Sequence, residues 1–260
     1  MNRGISELAK MTRDRRAGEG DHVTVILACG GYRSGSTLQY NLLAEYAELA
    51  GLGSRLGFVN PHEAHAAVTS LRVSDRGVGV AKCHHVVAGY HDFRSRDEAW
   101  AELTQSAEVL PIYSLRDWRD VAASMCRKFR LSLSDLFESA LWRENLANLD
   151  RWLELGAVVQ RYEVLVNEPQ LAISEVADAA GLPFTASIAI DAAVATRLDA
   201  VYRAMRSTTA EHWDERMLVH DDHIAAPAGG AWREWTTEEC RTARSHLEPL
   251  LNRFGASWDA

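Results

Sequence analysis

The chain has 260 residues, is 47% hydrophobic and carries a formal net charge of −8. That length supports one sizeable core, so a single domain is expected over residues 21–260, behind a mobile tail at 1–20. The acidic balance argues against a nucleic-acid partner, and no window approaches the roughly eighteen apolar residues of a transmembrane segment.

The first stretch, MNRGISELAKMTRDRRAGEGD, is charged and lacks the apolar run of a signal peptide. Cys29, Cys83, Cys126 and Cys240 are widely spaced with no CxxC pair, which reads as reduced thiols in a cytoplasmic protein. From there the pattern predicts a strand over 22–29, a helix over 36–50, a weaker strand over 54–58 and a helix over 62–71. Strands follow over 77–84 and 108–115, then helices over 118–128 and 133–155. A strand over 157–162 precedes helices over 168–180, 186–207 and 237–254. The apolar strands lack alternation, as strands buried on both faces do. Alternating β and α units imply an α/β fold, a central parallel sheet flanked by helices. Ligands of such sheets bind at the carboxyl ends of the strands. That directs attention to residues 30–37, 82–85, 116–117 and 162–163.

The first of these lies in CGGYRSGSTL, a glycine loop between strand and helix. Gly30 and Gly35 have the spacing of a Walker A loop, but Ser36 stands where its lysine should be. The backbone cradle and the helix N-terminus still favour an anion. Ser36 and Thr37 add hydroxyls, and the cation has moved to Arg33. The later strands end in Lys82, Arg116 and Tyr162 rather than in a metal-binding Asp, so a magnesium-dependent NTPase is disfavoured. A ligand-free glycine turn stays open at this point. Further on, VLPIYSLRDWRDVAASM puts Arg116 after an apolar strand and Ser124 eight residues later. Asp117 and Asp120 read as charges at a helix N-terminus, where the dipole favours them.

Taken together these stretches resemble the sulfotransferases that use 3′-phosphoadenosine 5′-phosphosulfate (PAPS). GYRSGSTL is similar to that family's 5′-phosphosulfate loop, Y-P-K-S-G-T-T-W. SLRDWRDVAASM is similar to its 3′-phosphate motif, with Arg and Ser eight apart. RYEVLVNEP resembles R-Y-E-D-L-x-x-x-P, and GGAWREW resembles a C-terminal G-x-W segment. The matches keep the family's order from Gly31 to Trp235. The resemblance implies that Arg33, Ser34, Gly35, Ser36 and Thr37 wrap the 5′-phosphosulfate. It implies that Arg116 and Ser124 hold the 3′-phosphate and that Tyr162 lies against the adenine. The sequence departs from the pattern in three places: Tyr32 replaces a proline, Leu38 replaces an adenine-stacking Trp, and Ala225-Ala226-Pro227 replaces an R-K-G. Arg233 or His223 would compensate for the last, with Trp232 or Trp235 lining the cofactor or acceptor side.

GVGVAKCHHVV is similar to the family's strand-end K-x-H. On an extended chain Lys82 and His84 share one face, with Cys83 and His85 on the other. His84 is the expected general base, since imidazole accepts a proton at neutral pH, and Lys82 is expected to steady the transferred group. Glu63 is the rival base. His62 and His65 are three apart rather than in HExxH, and His220–His223 reads as a loop, so no metal is expected.

The resemblance therefore implies a P-loop-like α/β sulfotransferase. It would move a sulfuryl group from PAPS to a hydroxyl of a small-molecule or glycan acceptor, without metal, releasing adenosine 3′,5′-bisphosphate. An ATP-dependent P-loop kinase-like phosphotransferase and a non-catalytic nucleotide-binding protein are the alternatives. A homodimer stays open, and the Ala- and Arg-rich composition suits a high-GC bacterium.

Overall fold

Strand β1, Thr24–Cys29, reads TVILAC, and every one of its residues is buried. An apolar strand of this kind needs cover on both faces and partners on both edges. It pairs in parallel with β3, Val78–Cys83, and with β4, Glu108–Leu115, in unbroken register from Thr24 to Cys29. β2, Gly53–Phe58, adds outside β3, and β5, Val158–Arg161, outside β4. The result is a five-stranded parallel sheet in the order β2-β3-β1-β4-β5. The fold is the expected α/β one. The computed structural model describes residues 23–59, 77–84, 101, 103–197, 213–214, 216–220 and 230–259.

The two faces of the sheet carry separate cores. On one, Val25, Leu27, Cys83, Tyr113 and Leu115 meet the helices α2 (Trp118–Phe129), α4 (Ala140–Glu154) and α8 (Thr237–Arg253) through Trp118, Met125, Trp152 and Leu247. On the other, Ile26, Ala28, Val80 and Ile112 pack against Tyr40, Leu43 and Ala44 of α1 (Ser36–Leu49). Val176 and Ala180 of α6 (Pro169–Ala180) complete that side, with α7 (Ala186–Ala195) behind it. Burial of these side chains is the main favourable term holding the layers together. β1 is central, and the chain leaves it toward β2 on one side and reaches β4 on the other. This switch point opens a crevice beyond the carboxyl ends of the strands, where the loop 30–35 sits.

Three elements differ from expectation. The helix expected over 133–155 is two helices, α3 (Leu133–Glu138) and α4, broken at Ser139 with ψ 153°. The Ser139 hydroxyl donates to the Leu136 carbonyl at 2.6 Å and accepts from the Trp142 N–H at 3.1 Å, so a side chain takes over bonds that a continuous helix would make through its backbone. A short helix, α5 (Tyr162–Asn167), fills the segment after β5, and Pro169 then starts α6 as a first-turn proline. A two-residue antiparallel ladder joins β6 (Trp213–Asp214) to β7 (Val219–His220), where no strand was expected. The helix expected over 186–207 ends at Ala195, with Thr196 as its C-cap, and its residues 198–207 lie outside the described residues, as do the helix expected over 62–71 and the segment 1–20. No helix among the described residues is long and apolar enough to cross a membrane.

Ser139→Ala removes the cap of α4 and is expected to cost about 1 kcal/mol. A lower urea midpoint at unchanged slope checks this, and an unchanged midpoint would mean that packing alone sets the break.

Candidate functional site

The loop after β1 is shaped by where its backbone must go. Gly35 has φ 98°, and a Cβ on it would stand 2.3 Å from the Tyr162 ring, so only glycine fits. Arg33 takes φ 66° without being glycine, a left-handed conformation that the surroundings must hold in place. They do so with neutral struts. Gly31 N donates to the Tyr113 hydroxyl at 3.2 Å, and Tyr32 N donates to Asn145 Oδ1 at 2.7 Å. Ser114 Oγ donates to the Ser34 carbonyl at 2.8 Å. A proline in place of Tyr32 would have no N–H to give Asn145.

α1 begins directly from this loop. Gly35 caps it without a side-chain hydrogen bond, and its first turn holds no acidic residue. The positive end of the helix is thus left for an anion. Two side chains of the β3 end grip the loop from below, one at each end. Lys82 Nζ donates to Thr37 Oγ1 at 2.5 Å. His84 Nδ1 donates to the Gly30 carbonyl at 3.0 Å, which assigns the proton of the neutral ring to Nδ1 and makes Nε2 the basic nitrogen. From the other side of the sheet, Arg33 Nε donates to Ser124 Oγ of α2 at 2.8 Å. The Arg116 guanidinium lies 4.6 Å from the centre of the Tyr162 ring, which serves it as a shelf.

Two electrostatic features mark this crevice. Lys82 is buried, and burial together with the neighbouring Arg33 charge pulls its ammonium pKa down to about 7. Ser34 Oγ, Arg116 Nε and Trp118 Nε1 are buried polar atoms with no hydrogen-bond partner among the described residues. All three residues line one narrow crevice, together with Gly31, Tyr32 and Asn145. Buried polar atoms left unsatisfied are costly. The uncapped helix and the neighbouring Lys82 and Arg33 charges suit a phosphate or sulfate group.

The structure thus gathers Arg33, Ser34, Gly35, Ser36, Thr37, Lys82, His84, Arg116, Ser124 and Tyr162 around one loop. Trp232 and Arg233 sit one element further out, on a 3₁₀ turn, Ala231–Glu234. Asp120 Oδ1 of α2 accepts the N–H groups of Gly230 and Ala231 at 2.7 and 3.1 Å. The guanidinium groups of Arg119 and Arg233 lie 4.1 Å and 5.0 Å from the centre of the Trp232 ring. Asp117 and Asp120 therefore do more than complement a dipole. Asp117 caps α2 and ion-pairs with Arg119, and Asp120 ties down the C-terminal turn. The struts Tyr113, Ser114 and Asn145 were missed in the sequence, where the only signals were polar groups near the end of an otherwise apolar strand and an asparagine on the buried face of a helix. Glu63, His62, His65, His85 and His223 lie outside the described residues, where no group of metal-ligating side chains can be placed. Within them, none of three or more occurs.

The depressed Lys82 has a consequence for stability. Between pH 7 and lysine's ordinary value of 10.5, the unfolded chain binds a proton that the folded chain does not. Stability therefore rises with pH across that window, and the cost of the buried ammonium is full below it. Lys82→Met is expected to stabilise the ligand-free protein most at about pH 6.5, with the gain shrinking toward about pH 9. Denaturant midpoints at the two pH values check this, and a gain independent of pH would show that Lys82 is not desolvated.

No protein-family model matches the chain, and no curated protein matches it. Solved structures do. Mouse sulfotransferase SULT7A1 complexed with PAP is 15% identical, with 90% of this chain and 86% of that one covered and a TM-score of 0.53. Retinol dehydratase in complex with androsterone and inactive cofactor PAP is 14% identical over 88% of this chain and 80% of that one, at a TM-score of 0.52. The same enzyme with retinol and PAP gives 14%, 88%, 81% and 0.50. At such identities the likeness is one of fold, and the chain has the P-loop-like α/β fold of the PAPS-dependent sulfotransferases.

Proposed function

We propose that the chain is a sulfotransferase that transfers the sulfuryl group of PAPS to an acceptor hydroxyl. One observation carries the reading: Lys82 is buried, bonds to Thr37 in the first turn of α1, and lies close enough to Arg33 for that charge to depress its ammonium, at the uncapped N-terminus of α1. Like charges are kept together in this way where an anion comes between them.

When bound, PAPS supplies the sulfuryl group, and adenosine 3′,5′-bisphosphate departs. The residues of the chain do the rest. The N–H groups of residues 35–37 and the Ser36 and Thr37 hydroxyls orient the 5′ group. Lys82 and Arg33 supply positive charge where negative charge accumulates, and an anion beside Lys82 restores its proton by opposing the Arg33 field. Arg116 and Ser124 receive the 3′-phosphate, which distinguishes PAPS from ATP. Tyr162 supports Arg116 and gives the adenine an aromatic edge, with Trp232 and Arg233 closing the C-terminal side. His84, its Nδ1 proton on the Gly30 carbonyl, takes the acceptor proton at Nε2. No metal enters this scheme.

Thermal melting with adenosine 3′,5′-bisphosphate, with ATP·Mg and with neither tests the reading. A ligand at a hundred times its Kd should stabilise by about 2.7 kcal/mol. Stabilisation by the bisphosphate alone is expected. Stabilisation by ATP·Mg alone would overturn the reading in favour of a kinase-like enzyme, and no response to either would favour a protein without nucleotide chemistry. Arg116→Ala should weaken the bisphosphate about 10- to 100-fold. His84→Ala should leave that affinity intact and lower turnover about 10²- to 10⁴-fold. Near-normal turnover in His84→Ala would move the base to another residue, Glu63 first.

A further inference from the structure

Two consecutive residues of α2 hold one short turn. Asp120 Oδ1 accepts the Gly230 N–H at 2.7 Å and the Ala231 N–H at 3.1 Å. Arg119 takes the next residue of the turn, with its guanidinium 4.1 Å from the centre of the Trp232 ring, and donates to the Trp258 carbonyl at 2.7 Å. Both α2 side chains are buried, Arg119 at 4% exposure and Asp120 at 5%. None of residues 231–234 is buried, so the turn relies on its bonds to α2. Gly230 takes φ 100°, and a Cβ on it would collide with Arg233 Nη1. The exposed Arg233 thus folds its guanidinium back over the glycine whose N–H Asp120 holds.

In sequence, Asp120 lies between the two residues assigned to the 3′-phosphate. Ser124 follows it by four residues, one turn along the same helix face. Arg116 precedes it by four and rests on the Tyr162 ring. The Asp120 charge reaches that ring. Burial raises the Tyr162 pKa, Arg116 opposes the rise, and the Glu163 and Asp120 charges add to it. A buried carboxylate beside an anion subsite is a liability, because like charges repel strongly where water is excluded. Here its oxygen is occupied by two backbone N–H groups, and the Arg233 cation lies over the same glycine. The acid is offset, and it fixes the turn that carries Arg233.

We propose that Asp120 is a positioning residue for 3′-phosphate recognition: it latches the turn 230–233 onto the helix that carries Ser124 and so sets Arg233 against the 3′-phosphate. This role rests on the sulfotransferase reading above, in which Arg116 and Ser124 receive that group. Asp120 itself touches no ligand. Its task needs an oxygen acceptor rather than a negative charge, which separates asparagine from alanine at this position.

The test titrates the full chain calorimetrically with adenosine 3′,5′-bisphosphate and with 5′-AMP, which differ only in the 3′-phosphate. The ratio of the two Kd values reads the 3′ side alone, and a loss of stability by itself does not move it. Asp120→Ala should lower the preference for the bisphosphate about tenfold, whereas Asp120→Asn, which keeps Oδ1, should hold it within about twofold. Arg233→Ala, at an exposed position that opens no core, should lower the preference as Asp120→Ala does. The double alanine variant should lose no more than the larger single loss, because the two residues act through one contact. An unchanged preference in Asp120→Ala or in Arg233→Ala, or additive losses, would overturn the latch while leaving 3′-phosphate recognition standing. Equal losses in Asp120→Asn and Asp120→Ala would overturn it too, by making the charge the requirement. A wild-type chain that binds the two nucleotides equally would overturn the sulfotransferase reading and the latch with it.

Discussion

Lys82 is kept out of water beside the positive charge of Arg33 at the end of β1, and the architecture around the loop follows from that constraint. Lys82 comes from β3 and Arg33 from the loop itself, so their proximity is a property of the parallel register Cys29↔Cys83 rather than of either segment. Leaving a cation desolvated beside another cation costs several kcal/mol in an interior. Burial of the apolar strands on both sides of β1 offsets that cost. Lys82 is therefore left desolvated beside a second cation, a cost that an anion bound there would relieve.

A strained loop needs stiff support, and here the support is uncharged. The Tyr113 hydroxyl, Ser114 Oγ and Asn145 Oδ1 each bond to the loop backbone. They come from β4 and α4, elements deep in the larger core cluster. Neutral struts hold the N–H groups and the left-handed Arg33 in place without adding negative charge that would compete with the ligand. His84 belongs to the same frame, because its bond to the Gly30 carbonyl sets the tautomer as well as the ring position. The loop, the cation and the basic nitrogen are thus positioned as one unit.

The acidic side chains near the site are used at a distance from it. Asp117 is taken up by the α2 N-terminus and by Arg119, and Asp120 by the backbone of the C-terminal turn. Arg119 also donates to the Trp258 carbonyl at 2.7 Å, so the chain end is fastened to the helix that carries Ser124. The carboxylates of α2 are in this way spent on structure, and its hydroxyl faces Arg33.

The strands were legible in the sequence because burial on both faces demands continuous apolar runs, and TVILAC and the run ending in Lys82 have them. The loop was legible too, since φ 98° and the close approach of the Tyr162 ring admit only glycine at Gly35. The break at Ser139 was not, because a serine in a helical pattern reads alike whether its hydroxyl faces solvent or takes over backbone bonds. What the sequence by itself determined was the parallel α/β sheet, the glycine loop and the residue types at the strand ends, for these depend on local spacing and burial. Only the tertiary structure decided that Arg33 meets Ser124 across 91 residues, that Asn145 braces Tyr32 across 113, and that Phe58 and Tyr32 meet His84 while Phe129 meets Tyr32. Such contacts depend on the register of the strands and on the packing of helices over them, and neither is written in any one stretch of the chain.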